Sequence, residues 1–83
     1  MAALRFATDP TNEQRADWAM KGVLAFGEQT GQASDGELTN SDEQEIITDL
    51  LANLHHLADR HGLAWEQLLS SADLHYTAEV SGD

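Results

Sequence analysis

One apolar stripe constrains this chain of 83 residues more than any other feature of its sequence. Between residues 46 and 58 the aliphatic side chains recur at steps of three and four, the period of one face of an α-helix. The members of the stripe are Ile46, Ile47, Leu50, Leu51, Leu54, Leu57 and Ala58. Ser41 with Gln44 forms the pattern of a capping box before it, and Gly62 is typical of a helix end. We therefore predict a helix over residues 42–61.

A second stripe lies towards the N-terminus. Its members are Ala16, Ala19, Met20, Val23, Phe26 and Thr30. Two beginnings compete for this helix: the Asp-Pro pair at residues 9–10 suits a first helical turn, whereas Thr11 with Gln14 forms a capping box. Gly31 is typical of the residue that follows a helix, so the prediction is a long helix over residues 10–30.

A third stripe begins near residue 64 and weakens after residue 79. It consists of Trp65, Leu68, Leu69, Ala72 and Tyr76. We predict a helix over residues 64–79 and a frayed tail over residues 80–83. Because only two or three residues separate this helix from the one at 42–61, the two should form a tight antiparallel hairpin.

The remaining segments complete a single domain, residues 1–83, as the length of the chain predicts. Residues 1–8 are predicted as an N-terminal arm, and residues 31–41 as a polar loop with two glycines. No strong strand pattern occurs along the chain. The predicted fold class is all-α: a small three-helix bundle with a long first helix, a loop and then the hairpin. Such a small domain buries roughly 60% of its unfolded surface and gains stability from a partner.

Charge is the most informative global property. Fifteen Asp and Glu residues oppose four Lys and Arg residues, for a net charge of -11. This charge repels nucleic acids and anionic lipids, and it attracts a protein with a basic surface. Two interpretations stay open: charge that only maintains solubility, and mimicry of a phosphate backbone. The residues predicted to bind a protein partner are Trp18, Asp17, Glu28, Asp42, Glu43 and Glu45.

The cellular location and the oligomeric state are predicted from the patterns that the sequence lacks and from the apolar residues outside the three stripes. No apolar run approaches the roughly 18–20 residues of a membrane span, and the N-terminal residues do not have the pattern of a secretory signal. The chain has no cysteine, which excludes disulfides and thiolate metal sites. We expect a cytoplasmic protein without membrane contact. A homodimer is an open alternative, because Trp18, Leu24 and Leu74 lie off the three stripes.

Three of the four histidines lie within residues 55–61. On a helical wheel with Ile46 at zero, His61 lies at about 60°, His55 at about 180° and His56 at about 280°. Their imidazoles therefore do not converge, whereas a zinc pair on one helix needs an i,i+4 spacing. His61 has a simpler interpretation, as a positive charge near a helix C-terminus.

A different group of residues is the alternative site. Asp49 and His56 share the polar side of the second predicted helix, and His75 and Glu79 are an i,i+4 pair on the third. If the hairpin brings them together, they would bind a metal or transfer protons. The competing interpretation is an ordinary solvated polar face. The main prediction is a protein without enzymatic activity, cofactor or metal, and the alternative is a metal-binding or hydrolase-like bundle that uses these four residues.

Residues 48–79, TDLLANLHHLADRHGLAWEQLLSSADLHYTAE, resemble short acidic helical proteins of phage, prophage and plasmid origin. The shared pattern falls on Asp49, His56, Asp59, Gly62, His75, Tyr76 and Glu79. The resemblance implies a helical hairpin and a mobile-element origin, and it favours His56 and His75 over the other histidines. It implies no known activity.

The helix end LADRHGL, residues 57–63, is faintly similar to one in the all-α nucleotide pyrophosphohydrolases of the MazG type, where a helix ending like LADLHG-L precedes a final helix. Those proteins bind metal through E-x-x-E and E-x-x-D carboxylates. Here Glu45 and Asp49 are four residues apart, and Ile46 stands three residues before Asp49. No E-x-x-E precedes them on the first predicted helix. The catalytic pattern is broken, so that activity is not carried over. The functional prediction is a small acidic protein–protein interaction module, in one version an inhibitor of a nucleic-acid-binding defence protein.

Overall fold

Three helices make up the protein in this computed structural model, which describes residues 10–33 and 38–82. They are α1 (Asn12–Thr30), α2 (Asn40–Arg60) and α3 (Trp65–Gly82), with 19, 21 and 18 residues. No strand occurs in these two described segments. The all-α prediction is confirmed: the fold is a small three-helix bundle that ends in a helical hairpin, α2–α3. The predicted arm at residues 1–8 lies outside the described residues.

Capping boxes begin α1 and α2. At α1, Thr11 Oγ1 accepts a hydrogen bond from the Gln14 backbone N–H at 3.1 Å, and Gln14 Oε1 accepts one from the Thr11 N–H at 2.9 Å. Of the two beginnings that the sequence allows, α1 thus uses the capping box. The other beginning involves Asp9, which lies outside the described residues.

The predicted beginning of α2 is wrong by two residues. The capping box is formed by Thr39 and Asp42, with bonds of 3.1 Å and 2.9 Å, instead of by Ser41 and Gln44. Both pairs have the required spacing. The observed pair places a carboxylate at the third helical position, where it accepts a bond from the Thr39 N–H and interacts favourably with the helix dipole. Ser41 therefore lies within the first turn of α2.

The connection between α2 and α3 is a Schellman motif. Gly62 has φ 68°, and its N–H donates to the Asp59 carbonyl at 3.2 Å. The Leu63 N–H donates to the Ala58 carbonyl at 2.8 Å. These two bonds satisfy the carbonyls at the end of α2, because a residue in the left-handed region turns the chain back over the last turn. Gly62 thus ends the helix as the sequence predicts, and four residues separate Arg60 from Trp65.

The predicted frayed tail is wrong for residues 80–82, because α3 continues to Gly82. Its C-terminal part lies against the beginning of α1. Asn12 Nδ2 donates to the Glu79 carbonyl at 3.2 Å, and Arg15 Nε lies 3.3 Å from Glu79 Oε2. These contacts join residues more than sixty positions apart, and they hold the last turns of α3 in place.

The buried part of the bundle lies mainly between α1 and α2. Val23, Gly27 and Ile46 are buried there, and Ile46 is only 1% exposed. A Cβ atom on Gly27 would lie 2.8 Å from Ala33 Cβ and 3.4 Å from Ile46 Cδ1. Glycine therefore allows the chain after α1 to fold back over the helix, where the Ala33 N–H donates to the Gly27 carbonyl at 3.0 Å. In contrast, α3 buries none of its residues.

Candidate functional site

Four of the six residues predicted to bind a partner lie where α1 meets α2. Glu28 directly follows the buried Gly27, and Asp42, Glu43 and Glu45 occupy the first turns of α2. We call this region, together with Asp49, the acidic end. The two ion pairs that the described residues form, Arg15–Glu79 and His55–Asp59, involve none of these carboxylates. Nor does the sequence contain a Lys or Arg between residues 21 and 60, so no basic side chain of that segment compensates the negative charge of the acidic end.

Local hydrogen bonds hold two carboxylates of the acidic end in place. The Thr39 backbone N–H, and after it the Thr39 hydroxyl, hold the pKa of Asp42 below its ordinary value of 3.8. Asp49 Oδ2 accepts a hydrogen bond of 2.7 Å from Gln32 Nε2, which joins the segment after α1 to α2. A small cleft of about 140 Å³ at the acidic end is lined by Gln32, Asp42, Glu45 and Ile46. Asp42 is consequently ionised throughout the neutral pH range.

The other two predicted partner-binding residues lie elsewhere on α1. Asp17 and Trp18 are exposed, and Trp18 has 45% of its surface accessible. Asp17 precedes Gly27 by ten residues, which corresponds to about 15 Å along a helix. The six residues therefore form two separate regions instead of one continuous surface.

The structure does not assemble the alternative metal site. No group of three or more His, Asp or Glu side chains that would hold a metal occurs within residues 10–33 and 38–82. Asp49 accepts a hydrogen bond from Gln32, and Glu79 forms an ion pair with Arg15. The antiparallel hairpin explains the separation, because His56 lies about 6 Å along α2 from the turn, whereas Glu79 lies about 21 Å along α3 from it.

His55 makes specific side-chain contacts that the sequence analysis did not predict. Its ring stacks on Trp65 with a centroid separation of 4.6 Å and an interplanar angle of 9°. Its Nε2 also lies 3.9 Å from Asp59 Oδ1, one turn further along α2. The available signal was the position of His55 on the flank of the apolar stripe, next to a helix that begins with tryptophan. The resemblance in residues 48–79 instead favoured His56 and His75.

The fold and its surfaces define a small all-α helical bundle with an acidic end. No protein-family model matches the chain, and neither the curated proteins nor the solved structures give a significant match. None of the helices in the described segments is both long and apolar enough to cross a membrane. The function is therefore inferred from the surfaces of this chain alone.

Proposed function

We propose that this protein is a small acidic interaction module that binds a protein with a basic surface. The observation that supports the proposal is the segregation of charge. Glu28, Asp42, Glu43 and Glu45 share one end of the bundle, and no ion pair within the described residues neutralises them. A concentrated negative potential accelerates the encounter with a positive surface and orients the approaching partner.

One version of this proposal is an inhibitor that occupies a nucleic-acid-binding protein. The carboxylates of the acidic end would then replace phosphates on the basic surface of the partner, so that the protein and a nucleic acid would compete. A phage or mobile-element origin belongs to the same proposal and is supported by the resemblance in residues 48–79. A cytoplasmic location, where such a partner would be met, completes it.

The experiment compares partner binding by wild-type protein and by a variant with a neutralised acidic end. The variant carries Glu28→Gln, Glu43→Gln and Glu45→Gln and retains Asp42, which caps α2. The matched control carries Glu13→Gln, Glu66→Gln and Asp73→Asn, three exposed carboxylates outside the acidic end. Partners are captured from lysate on the immobilised wild-type protein and then purified, and their dissociation constants are measured for all three proteins.

We expect affinity for the partner to fall at least about tenfold between about 50 and 500 mM NaCl, because salt screens exposed charges. At the lower salt concentration the neutralised variant should bind more weakly than the control, although the two have the same net charge. Duplex DNA should displace the protein if the inhibitor version is correct. Affinity that is equal at both salt concentrations would contradict the proposal, and failure of DNA to compete would contradict only the inhibitor version.

A further inference from the structure

The third helix is accessible along almost its whole length. Trp65 and Glu79 are half-buried, whereas every other residue of α3 is exposed and none is buried. In contrast, α1 and α2 each bury two residues. Trp65 begins α3, and Glu79 lies about 21 Å further along the helix. The contacts that hold α3 are therefore concentrated near its two ends, whereas an ordinary surface helix buries one apolar face along its length.

Two polar contacts with α1 meet at Glu79. Asn12 Nδ2 donates to the Glu79 carbonyl at 3.2 Å, and Arg15 Nε lies 3.3 Å from Glu79 Oε2. The carbonyl belongs to the last turn of α3, where carbonyls have no partner within the helix. Arg15 Nη1 also donates to Asn12 Oδ1 at 2.7 Å, which directs the Asn12 amide nitrogen towards α3. We call Asn12, Arg15 and Glu79 the latch.

Little apolar packing supports the latch. A cleft of about 360 Å³ lies beside it, lined by Asn12, Arg15, Ala16, Tyr76, Glu79 and Val80. Tyr76 and Val80 are exposed, so α1 and α3 bury little apolar surface against each other here. The ion pair is itself partly accessible to solvent, and pairs of that kind contribute little to stability. The latch is therefore a weak attachment.

The other end of α3 is attached to α2. Trp65 stacks on His55 with a centroid separation of 4.6 Å, directly after the turn at Gly62. Beyond this stack, residues of α2 and α3 line an apolar groove of about 300 Å³. Leu68 and Leu69, which belong to the α3 wall of that groove, are exposed. A rotation about the turn would displace Trp65 least and Glu79 most, so the two attachments of α3 are a pivot and a latch.

We propose that α3 is a detachable arm, which opens at the latch while α1 and α2 stay packed around Ile46. Segments with few buried apolar contacts open at a lower cost in free energy than the core of the same protein. Opening gives the Glu79 carbonyl to water and removes one wall of the apolar groove. The latch thus controls whether the apolar stripe of α2 faces α3 or solvent. Because most helical stability in proteins comes from tertiary packing, the detached arm loses much of its helical hydrogen bonding.

Native-state amide hydrogen exchange of the full chain, recorded by nuclear magnetic resonance, measures this opening. We expect the amides of residues 70–79 to share one opening constant and to be protected at least about tenfold less than those of residues 46–54. Equal protection of the two segments would overturn the proposal. Protection that rises steadily from Gly82 towards Trp65 would also overturn it, because it would show fraying of the helix end instead of detachment of the arm.

A variant tests the latch itself. Glu79→Gln removes the ion pair, so it should lower the protection of residues 70–79 by about threefold and leave that of residues 46–54 unchanged. Asp73→Asn is the control, since it makes the same change of charge at an exposed position of α3 outside the latch. Equal effects of the two variants, or an equal loss of protection in both segments, would overturn the assignment of the latch. Neither measurement involves a partner, so this proposal and the proposed function fail independently.

Discussion

The two junctions of α2 differ in how completely they are closed. At the α1–α2 junction, Gly27 allows close approach and Ile46 is almost inaccessible to solvent. The α2–α3 junction carries an apolar groove, which we call the leucine groove, and Ala58 is the buried member of its lining. Its other lining residues are Leu51, Leu54, Leu57, Leu63, Trp65, Leu68, Leu69 and Ala72. The comparison shows that an apolar stripe alone does not close a helix pair. At the first junction Gly27 leaves room for Ala33 and for the Ile46 side chain, whereas at the second the leucines and Trp65 line a groove.

The same two regions differ in charge. The acidic end concentrates carboxylates at the beginning of α2, and the leucine groove, in the second half of α2, has no ionisable lining residue. One helix thus carries a charged surface near its beginning and an apolar surface in its second half. The predictions below test the contrast between these two junctions, in order of decreasing effect.

Ile46→Ala should cause the largest loss of stability. Removal of a fully buried aliphatic side chain costs about 2–5 kcal/mol, because the cavity collapses only partly. The neighbouring Ile47 is 44% exposed, so Ile47→Ala should cost about 1 kcal/mol. Urea unfolding of both variants at one protein concentration measures the difference. Equal losses would show that the α1–α2 junction is not the closed one.

Two glycines of α1 should respond to alanine with opposite signs. Gly27→Ala should destabilise the fold by about 1–3 kcal/mol, because the added methyl group meets Ala33 Cβ. Gly22 has no neighbour within 4 Å of a built Cβ. Gly22→Ala should therefore stabilise the helix by about 0.5–1 kcal/mol. Thermal unfolding of the two variants gives the signs, and stabilisation by both would rule out a close contact at Gly27.

The stacked pair at the hairpin should contribute a smaller amount. His55→Ala should cost about 0.5–1.5 kcal/mol, since an aromatic contact is lost. His56→Ala is the control, because that exposed residue should change stability by no more than about 0.5 kcal/mol. A double-mutant cycle with Trp65→Leu isolates the coupling between His55 and Trp65. A coupling energy near zero would mean that the stack does not stabilise the hairpin.

Asp42 should make the stability of α2 dependent on acid pH. Its folded-state pKa is depressed, so its contribution to stability is present above the ordinary value of 3.8 and is lost as pH falls through the lower folded-state value. Asp42→Asn should lower the urea midpoint at pH 7. As the pH is lowered from 3.8, the difference from wild type should shrink, because the wild-type carboxyl becomes protonated as the pH falls through its depressed folded-state pKa. A difference that is unchanged by pH would show that the charge of Asp42 is unimportant for the cap.

Metal ions provide the smallest expected effect. Asp49 and Glu79 are engaged by Gln32 and Arg15, so zinc, manganese and magnesium should leave the melting temperatures of wild type and His75→Ala equally unchanged. A native metal site would raise the melting temperature of wild type by mass action and lose that effect in the variant. Such a shift would restore the metal-binding alternative.

The helices were predictable because their signals are local. Thr11 with Gln14 begins α1, Gly31 follows it and Gly62 ends α2, each through contacts within a few residues. The sequence did not distinguish Thr39 from Ser41 as the N-cap of α2, because the two overlapping capping boxes have the same spacing and differ only in three-dimensional detail. The last turns of α3 were missed because they rest on Asn12 and Arg15, at the opposite end of the chain.

The sequence by itself determined three amphipathic helices, the tight turn at Gly62 and the excess of negative charge, because periodicity, caps and composition act over short distances along the chain. Only the tertiary structure decided which stripes are covered. The stripe of α2 is buried at Ile46 and remains half-exposed at Leu54, although both positions read alike in the sequence. The difference depends on the volumes of side chains from distant segments. Gly27 lies against Ile46, whereas Leu54 lies among the other leucines and Trp65 of the hairpin.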